Sequence, residues 1–328
     1  MKFIFFAFRN RYRYKDLNNF LNSKFYGKYF LLNLSGPFKH LIAKIFQKLK
    51  IGFAISCDGR PLIKKKSGIN FFIRGTNLNI PKNFRNCENN YVSIQNPFKK
   101  DKNIFQVYPV NIRKTEIKKD IKMIFMASVN TSMNPEEEKI WNNCKNEIFK
   151  DFTIIDKLDF WEEKLSTKDL EIIIIFYRKI KLLLRFEIAK YLKEKLGNQF
   201  ILFGNDWNNY SINSLSSEYN NKKNNRIYNG NICLDLGSIE GSSSLYSRSN
   251  QIIEAGGLII QSKQIDSDEK WNELSNKILF NNFESLEELI RKLMSDKDYS
   301  NEILNKIYLN FKDVEKKIES NFDKIFNS

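Results

Sequence analysis

One stretch of the chain, Tyr228 to Gln261 (YNGNICLDLGSIEGSSSLYSRSNQIIEAGGLIIQ), restricts the fold more than any other. Ile232, Cys233 and Leu234 have the length and apolarity of a buried strand, and a loop of Gly and Ser follows them. The pattern then predicts a helix that opens near Tyr246, carries Arg248 in its first turn and stops at Gly256-Gly257. Leu258, Ile259 and Ile260 at once begin a second strand. Strand, small-residue loop, helix, glycine stop and strand make one βαβ unit, which implies a parallel sheet with a crossover helix. The loop also has a chemical meaning. Small residues ahead of a helix N-terminus let backbone N–H groups approach an anion, and the helix dipole and Arg248 favour negative charge at the same place. This segment is suited to hold a phosphate.

The same residues carry a family resemblance. Ser247, Arg248, Gln251 and then Gly256-Gly257-Leu258-Ile259-Ile260 resemble the donor-site segment of group 1 glycosyltransferases, particularly the CgeB-like branch. Upstream, the strand Phe200–Phe203 ending in Gly204, with Trp207 shortly after, is similar to a strand of that family. Downstream, Lys277–Phe280 and the Ser-initiated Ser285–Leu289 resemble its next strand and helix. The resemblance covers about residues 121–325. It implies an α/β fold of the GT-B type, two Rossmann-like domains facing each other across a cleft, the N-terminal one complete or shortened. It further implies a nucleotide-diphospho-sugar as donor substrate, with no separate cofactor and no metal.

Residue by residue, the resemblance assigns Arg248 to the diphosphate leaving group, and a surface Arg without a task is the plainer alternative. The loop Gly241, Ser242, Ser243, Ser244 would supply backbone amides to the same phosphates, unless it is a simple surface turn. Glu240 would hold hydroxyls of the transferred sugar. Ser247, Gln251, Glu254 and Gly256 fall along the donor. Gln251 departs from the pattern, because the family has there a Glu that contacts the donor ribose. Gln offers single hydrogen bonds and no charge; Glu254, one turn further on, is a candidate substitute. Gly204, Asp206 and Trp207 lie at the carboxyl end of a strand, where ligands bind in open α/β sheets. Trp207 is read either as a platform for the nucleotide base or as a packing residue.

Charge separates the chain into unlike parts. Residues 1–120 hold 25 Lys and Arg against 6 Asp and Glu, a net of +19; the other residues hold 29 against 32, a net of −3. Lysines in water would explain a basic chain, but not such a difference between its parts. The expected division is a basic acceptor-side domain over 1–120 and a nucleotide-sugar-binding domain over 121–328. The basic part would meet an anionic partner: a membrane surface, an acidic glycan or a lipid-linked acceptor.

Within the first part, strand-length apolar runs recur at Phe3–Phe8, Tyr29–Leu34, Ile51–Ile55, Ile69–Ile73, Tyr91–Ile94 and Phe105–Val110. A basic amphipathic helix is expected over Pro37–Lys50, its apolar face Phe38, Leu41, Ile42, Ile45, Phe46 and Leu49 either covering a sheet or lying on an anionic membrane. The polar segment Arg113–Lys119 is the expected boundary. Beyond it the pattern predicts strands at Ile121–Met126 and Phe152–Ile155, a helix from Asn134-Pro135, a long buried helix over Thr167–Leu196 stopped by Gly197, a surface loop over 208–227, a strand at Ile278–Phe280 and two C-terminal helices.

Composition narrows the chemistry. His40 is the one histidine, so a two-histidine metal site is excluded, and it sits in the lysine-rich helix without a supporting motif. Cys57, Cys87, Cys144 and Cys233 form no CxxC pair, which fits a reducing compartment. No apolar run reaches the 18 residues of a spanning helix, and Arg9, Arg11 and Arg13 stand where a signal peptide would be cleaved. The expected place is cytoplasmic, including the inner face of a membrane, and the family resemblance implies a part in cell-surface polysaccharide biosynthesis. Asp58, in Cys57-Asp58-Gly59, follows a strand and is a candidate acceptor-side base; an Asp-Gly turn accounts for the same residues. Two rivals remain: a binder of nucleic acid or anionic lipid through the +19 part, with Phe25, Tyr26, Tyr29 and Phe30 interleaved among lysines, and an inactive transferase homologue.

Overall fold

The computed structural model describes residues 3–8, 30–34, 38, 41, 45, 52–57, 68–74, 90–94, 98, 112–216, 221–239 and 244–327. For the first five strands, and for residues 221, 222, 247 and 314–327, the description is of the backbone. The chain divides into two compact units. Residues 1–96, 101–107 and 314–328 form the first, and residues 97–100 and 108–313 the second.

The first unit holds β1 (Phe3–Phe8), β2 (Phe30–Leu34), β3 (Gly52–Cys57), β4 (Gly68–Arg74) and β5 (Asn90–Ile94). All pairs are parallel and the order is β2-β1-β3-β4-β5. Five of the six expected strands are therefore present, and Phe105–Val110 lies outside the described residues. Most of the expected helix over Pro37–Lys50 lies outside them too. Its Phe38, Leu41 and Ile45 are exposed, at 68%, 56% and 47%.

The second unit repeats this winding. Its strands are β6 (Met123–Met126), β7 (Phe200–Phe203), β8 (Ile232–Asp235), β9 (Leu258–Ser262) and the two-residue β10 (Leu279–Phe280), again all parallel, in the order β7-β6-β8-β9-β10. Every residue of β6, β8 and β9 is buried. That is the signature of a parallel sheet covered on both faces, and it explains why these strands read as unbroken apolar runs. In both sheets the first strand lies between the second and the third, so the chain turns back over its starting strand. Such a reversal opens a crevice at the carboxyl ends of the two strands concerned, here β6 and β8.

Helix α1 (Pro135–Lys150) starts where expected, with Pro at its first position and Asn134 and Glu137 closing a capping box. Helix α3 (Leu170–Leu196, 27 residues) runs from the Asp169 cap to Gly197. It packs Ile173, Phe176, Tyr177, Ile180, Leu184 and Ile188 into the core. Three elements differ from expectation. Phe152–Asp156 is a 3-10 turn rather than a strand, because Asp151 accepts from the Thr153 N–H and the spacing of Phe152 and Ile155 buries both on a three-residue period. The short helix α2 (Leu158–Leu165) follows, anchored by Trp161, whose indole N–H donates to Ile155 O at 2.7 Å. Part of the expected 208–227 loop is helix α4 (Asn221–Tyr228): burial of Asn224 and Tyr228 overrides a polar sequence of weak helix propensity.

The segment 112–119, polar as a sequence, is stitched along the second unit. Arg113 N donates to Glu254 O, Thr115 Oγ1 to Gly256 O, Ile117 N to Asn301 Oδ1 and Lys118 N to Gly230 O. Helix α5 (Ser247–Glu254) lies between β8 and β9 in sequence. The short helical turns α6 (Ser267–Trp271) and α7 (Ser275–Ile278) follow, then α8 (Phe283–Ser295) and α9 (Lys297–Asn327). Among the described residues no helix is long and apolar enough to cross a membrane.

Candidate functional site

The carboxyl end of β8 places Asp235 in the middle of a buried polar network. Asp235 pairs in register with Gln261 of β9, and Gln261 Nε2 donates to Asp235 Oδ2 at 2.7 Å and to Ser244 O at 2.7 Å. Gln261 Oε1 accepts from Trp271 Nε1 at 2.9 Å. Asp235 Oδ1 accepts from the Tyr246 hydroxyl and from Gly237 N. One carboxylate and one amide thus tie the strand end to both ends of the small-residue loop. Helix α5 begins at Ser247, directly after Tyr246, and Arg248 stands in its first turn, partly exposed. The Tyr246 N–H and carbonyl are closed by Ser249 Oγ at 2.7 Å and 2.8 Å, which fixes the angle at which the chain enters the helix.

Helix α3 reaches the same loop from the other side of the sequence. Tyr177, Lys181 and Arg185 recur every four residues and are buried as one stripe. Arg185 Nη2 donates to Gly237 O at 3.1 Å, and Lys181 Nζ donates to Gln264 Oε1 at 3.1 Å and lies 3.7 Å from Asp156. The Tyr177 hydroxyl donates to Asp156 Oδ1 at 2.9 Å. Gly237 has φ 76°, and a Cβ there would meet the Gln264 carboxamide at 2.7 Å, so only glycine lets the loop pass between Arg185 and Gln264.

Burial dominates the electrostatics. It raises Asp235 against the opposing pull of Tyr246, Arg248, Gln261 and the Gly237 N–H, and it raises Asp156 against Lys181 and Tyr177. Burial, and then the neighbouring Arg248 charge, lower Arg185 to about 10. Because the folded value of Asp235 stands above the ordinary 3.8, the folded state retains more proton than the unfolded chain in the pH window between the two values. The stability it contributes is present below 3.8 and is lost as pH rises through the raised value. Asp235→Asn replaces an acceptor of three N–H and O–H donors with a group that itself donates. We expect a cost of about 2–4 kcal/mol that shrinks as pH is raised above the ordinary carboxylate value, read from urea unfolding at several pH values. A cost that grows with pH would contradict this electrostatic account.

The structure brings Arg248, Gln251, Glu254 and Gly256 together on or just after α5. Gln251 and Glu254 are partly buried, and Gly256 is held by Thr115. Gly204 ends β7 at the same carboxyl edge, but β6 lies between β7 and β8, which sets the two ends about 10 Å apart. Of the two readings of Trp207, the geometry favours packing. The ring is fully buried, its N–H donates to Ala127 O at 2.6 Å, and it packs edge-on to Phe125, so no face is open to a base. Glu240, Ser243, Asp58 and the side chain of Ser247 lie outside the described residues. Among the described residues no group of three or more His, Cys, Asp or Glu is placed to hold a metal ion. Sequence reasoning missed Lys181, Arg185, Asp235 and Gln261. The signal for the first two is their four-residue spacing after Tyr177, which puts them on the face of the helix that also carries Ile173, Ile180, Leu184 and Ile188.

No protein-family model matches the chain, and no curated protein matches it in sequence. A glycosyltransferase of Rickettsia africae ESF-5, known from its crystal structure, is similar at 12% identity and a TM-score of 0.45, over 99% of this chain and 98% of that one.

Proposed function

We propose that the chain is a glycosyltransferase of the two-domain GT-B type, which moves a sugar from a nucleotide-diphospho-sugar to an acceptor hydroxyl. The observation that carries this reading is the β8–α5 junction: a small-residue loop tied down at both ends, followed by a helix whose first turn holds Arg248, at the point where the strand order of the sheet reverses. Such a junction favours a diphosphate. Transfer then rests on stabilising the leaving diphosphate and aligning the acceptor hydroxyl, with Arg248 and the α5 N-terminus supplying positive charge in place of a metal. Gln251 takes the position of the ribose-binding Glu, with Glu254 one turn on.

The acceptor falls to the first unit. The +19 charge of residues 1–120 suits an anionic or lipid-linked acceptor at the cytoplasmic face of a membrane, and the exposed Phe38, Leu41 and Ile45 add apolar contact. The test is calorimetric titration with UDP, GDP, CDP and dTDP without added metal, beside sedimentation with phosphatidylglycerol and phosphatidylcholine vesicles. Binding of one nucleotide and capture by the anionic vesicles alone are expected. No nucleotide binding removes the transferase reading, and no vesicle capture removes the membrane side of it.

A further inference from the structure

The polar stripe of α3 has a consequence for the donor site. A buried arginine is costly unless its charge is met. Arg185 retains 8% of its surface, its guanidinium donates to a neutral carbonyl at Gly237, and among the described residues no carboxylate forms a salt bridge with it. Lys181, one turn before it, is already engaged by Asp156 and Gln264. The charges that act most on Arg185 are Arg248, which repels it, and Tyr246 and Asp235, which favour its charged form; Asp235 is itself drawn toward its neutral state by burial. Two guanidinium groups that repel each other beside a helix N-terminus are stabilised by an anion lying between them.

A second observation points the same way. Ser244 is fully buried, its N–H is fixed on Asp266 Oδ1 at 2.8 Å and its carbonyl on Gln261 Nε2, yet among the described residues its hydroxyl has no hydrogen-bond partner. A buried hydroxyl on a backbone so firmly held is expected to have a partner. It stands in the loop that Arg185 anchors at Gly237, three residues before α5.

We propose that Arg185 is the second cation of the phosphate site, binding the donor diphosphate jointly with Arg248 and the Ser244 hydroxyl. The inference rests on the nucleotide-sugar reading above and adds a residue from a helix more than 40 positions away in sequence. Arg185 carries five N–H donors, so a guanidinium bound to Gly237 O through Nη2 retains donors for phosphate oxygens.

The experiment titrates the full chain, Arg185→Gln, Arg185→Lys and Arg248→Ala with the nucleoside diphosphate that the wild type binds, with its parent nucleoside and with inorganic pyrophosphate. Arg185→Gln is expected to lose about 10- to 100-fold in affinity for the diphosphate and pyrophosphate, with the nucleoside unchanged and a shallower salt dependence. Arg185→Lys, which retains charge without the fork of donors, is expected to fall between. Undiminished diphosphate binding by a folded Arg185→Gln overturns the assignment; if that variant does not fold, undiminished binding by Arg185→Lys does so. Equal losses for nucleoside and diphosphate would mean that Arg185 only props the loop, and would overturn it as well. Should Arg248→Ala alone lose binding, the donor site stands without Arg185. A wild type that binds neither diphosphate nor pyrophosphate sinks both readings.

Discussion

Alanine at Gly204 is expected to lower the stability of the second unit by about 4 kcal/mol, the upper range for a single substitution. Two costs coincide there. Gly204 has φ 146°, a conformation that L side chains rarely adopt, and a Cβ built on it would overlap the Ala127 carbonyl oxygen. That oxygen cannot retreat freely, since it accepts from the Trp207 indole N–H, and the Ala127 N–H donates to Phe203 O at 2.8 Å. Relief therefore means shifting the junction of β6 and β7 together with a fully buried tryptophan. For a unit of this size the loss corresponds to a melting temperature lower by roughly 8–16 °C, measured by circular dichroism. A variant that melts within two or so degrees of the wild type (about 1 kcal/mol) would show that the Ala127 carbonyl gives way easily.

Arg248→Ala is expected to leave the fold intact and to remove donor binding. Arg248 is partly exposed, in the first turn of a helix whose entry is held by Tyr246 and Ser249, so truncating it opens no cavity in the core. Losing a charge-assisted contact to a diphosphate costs about 100-fold in affinity. In a group that stabilises a departing anion the loss in turnover is of similar or greater size, about 100- to 1,000-fold. The measurement pairs calorimetric titration with a melting curve. Full transfer activity in the folded variant would remove Arg248 from the site.

How far these features could be read from the sequence depended on how local their causes are. The β8–α5–β9 unit is legible because each part follows its neighbour: an apolar run, a Gly/Ser loop, and a helix closed by two glycines. Helix α3 is legible for its length and its Gly197 stop. Its stripe of Tyr177, Lys181 and Arg185 is visible as spacing, yet a lysine and an arginine on a helix ordinarily extend into water, and only the tertiary fold turns them inward. The Asp235–Gln261 pair depends on the register of β8 against β9, which no single strand encodes. Trp207 was ambiguous for a related reason, because its fate depends on Ala127, 80 positions earlier. Phe152–Ile155 reads as a strand because Phe-Thr-Ile-Ile is short and rich in β-branched residues, until the Asp at its head captures the backbone.

The first unit is made of pieces that the ribosome delivers far apart in time. Its five strands lie within residues 3–94, but residues 314–328 belong to it as well, and the whole second unit is synthesised in between. A nascent chain therefore carries the first sheet through the making of the other unit before the closing residues emerge, and no single cut in the chain yields both units whole. Anyone wishing to weigh the stability of the basic unit by itself would have to graft residues 314–328 back onto it.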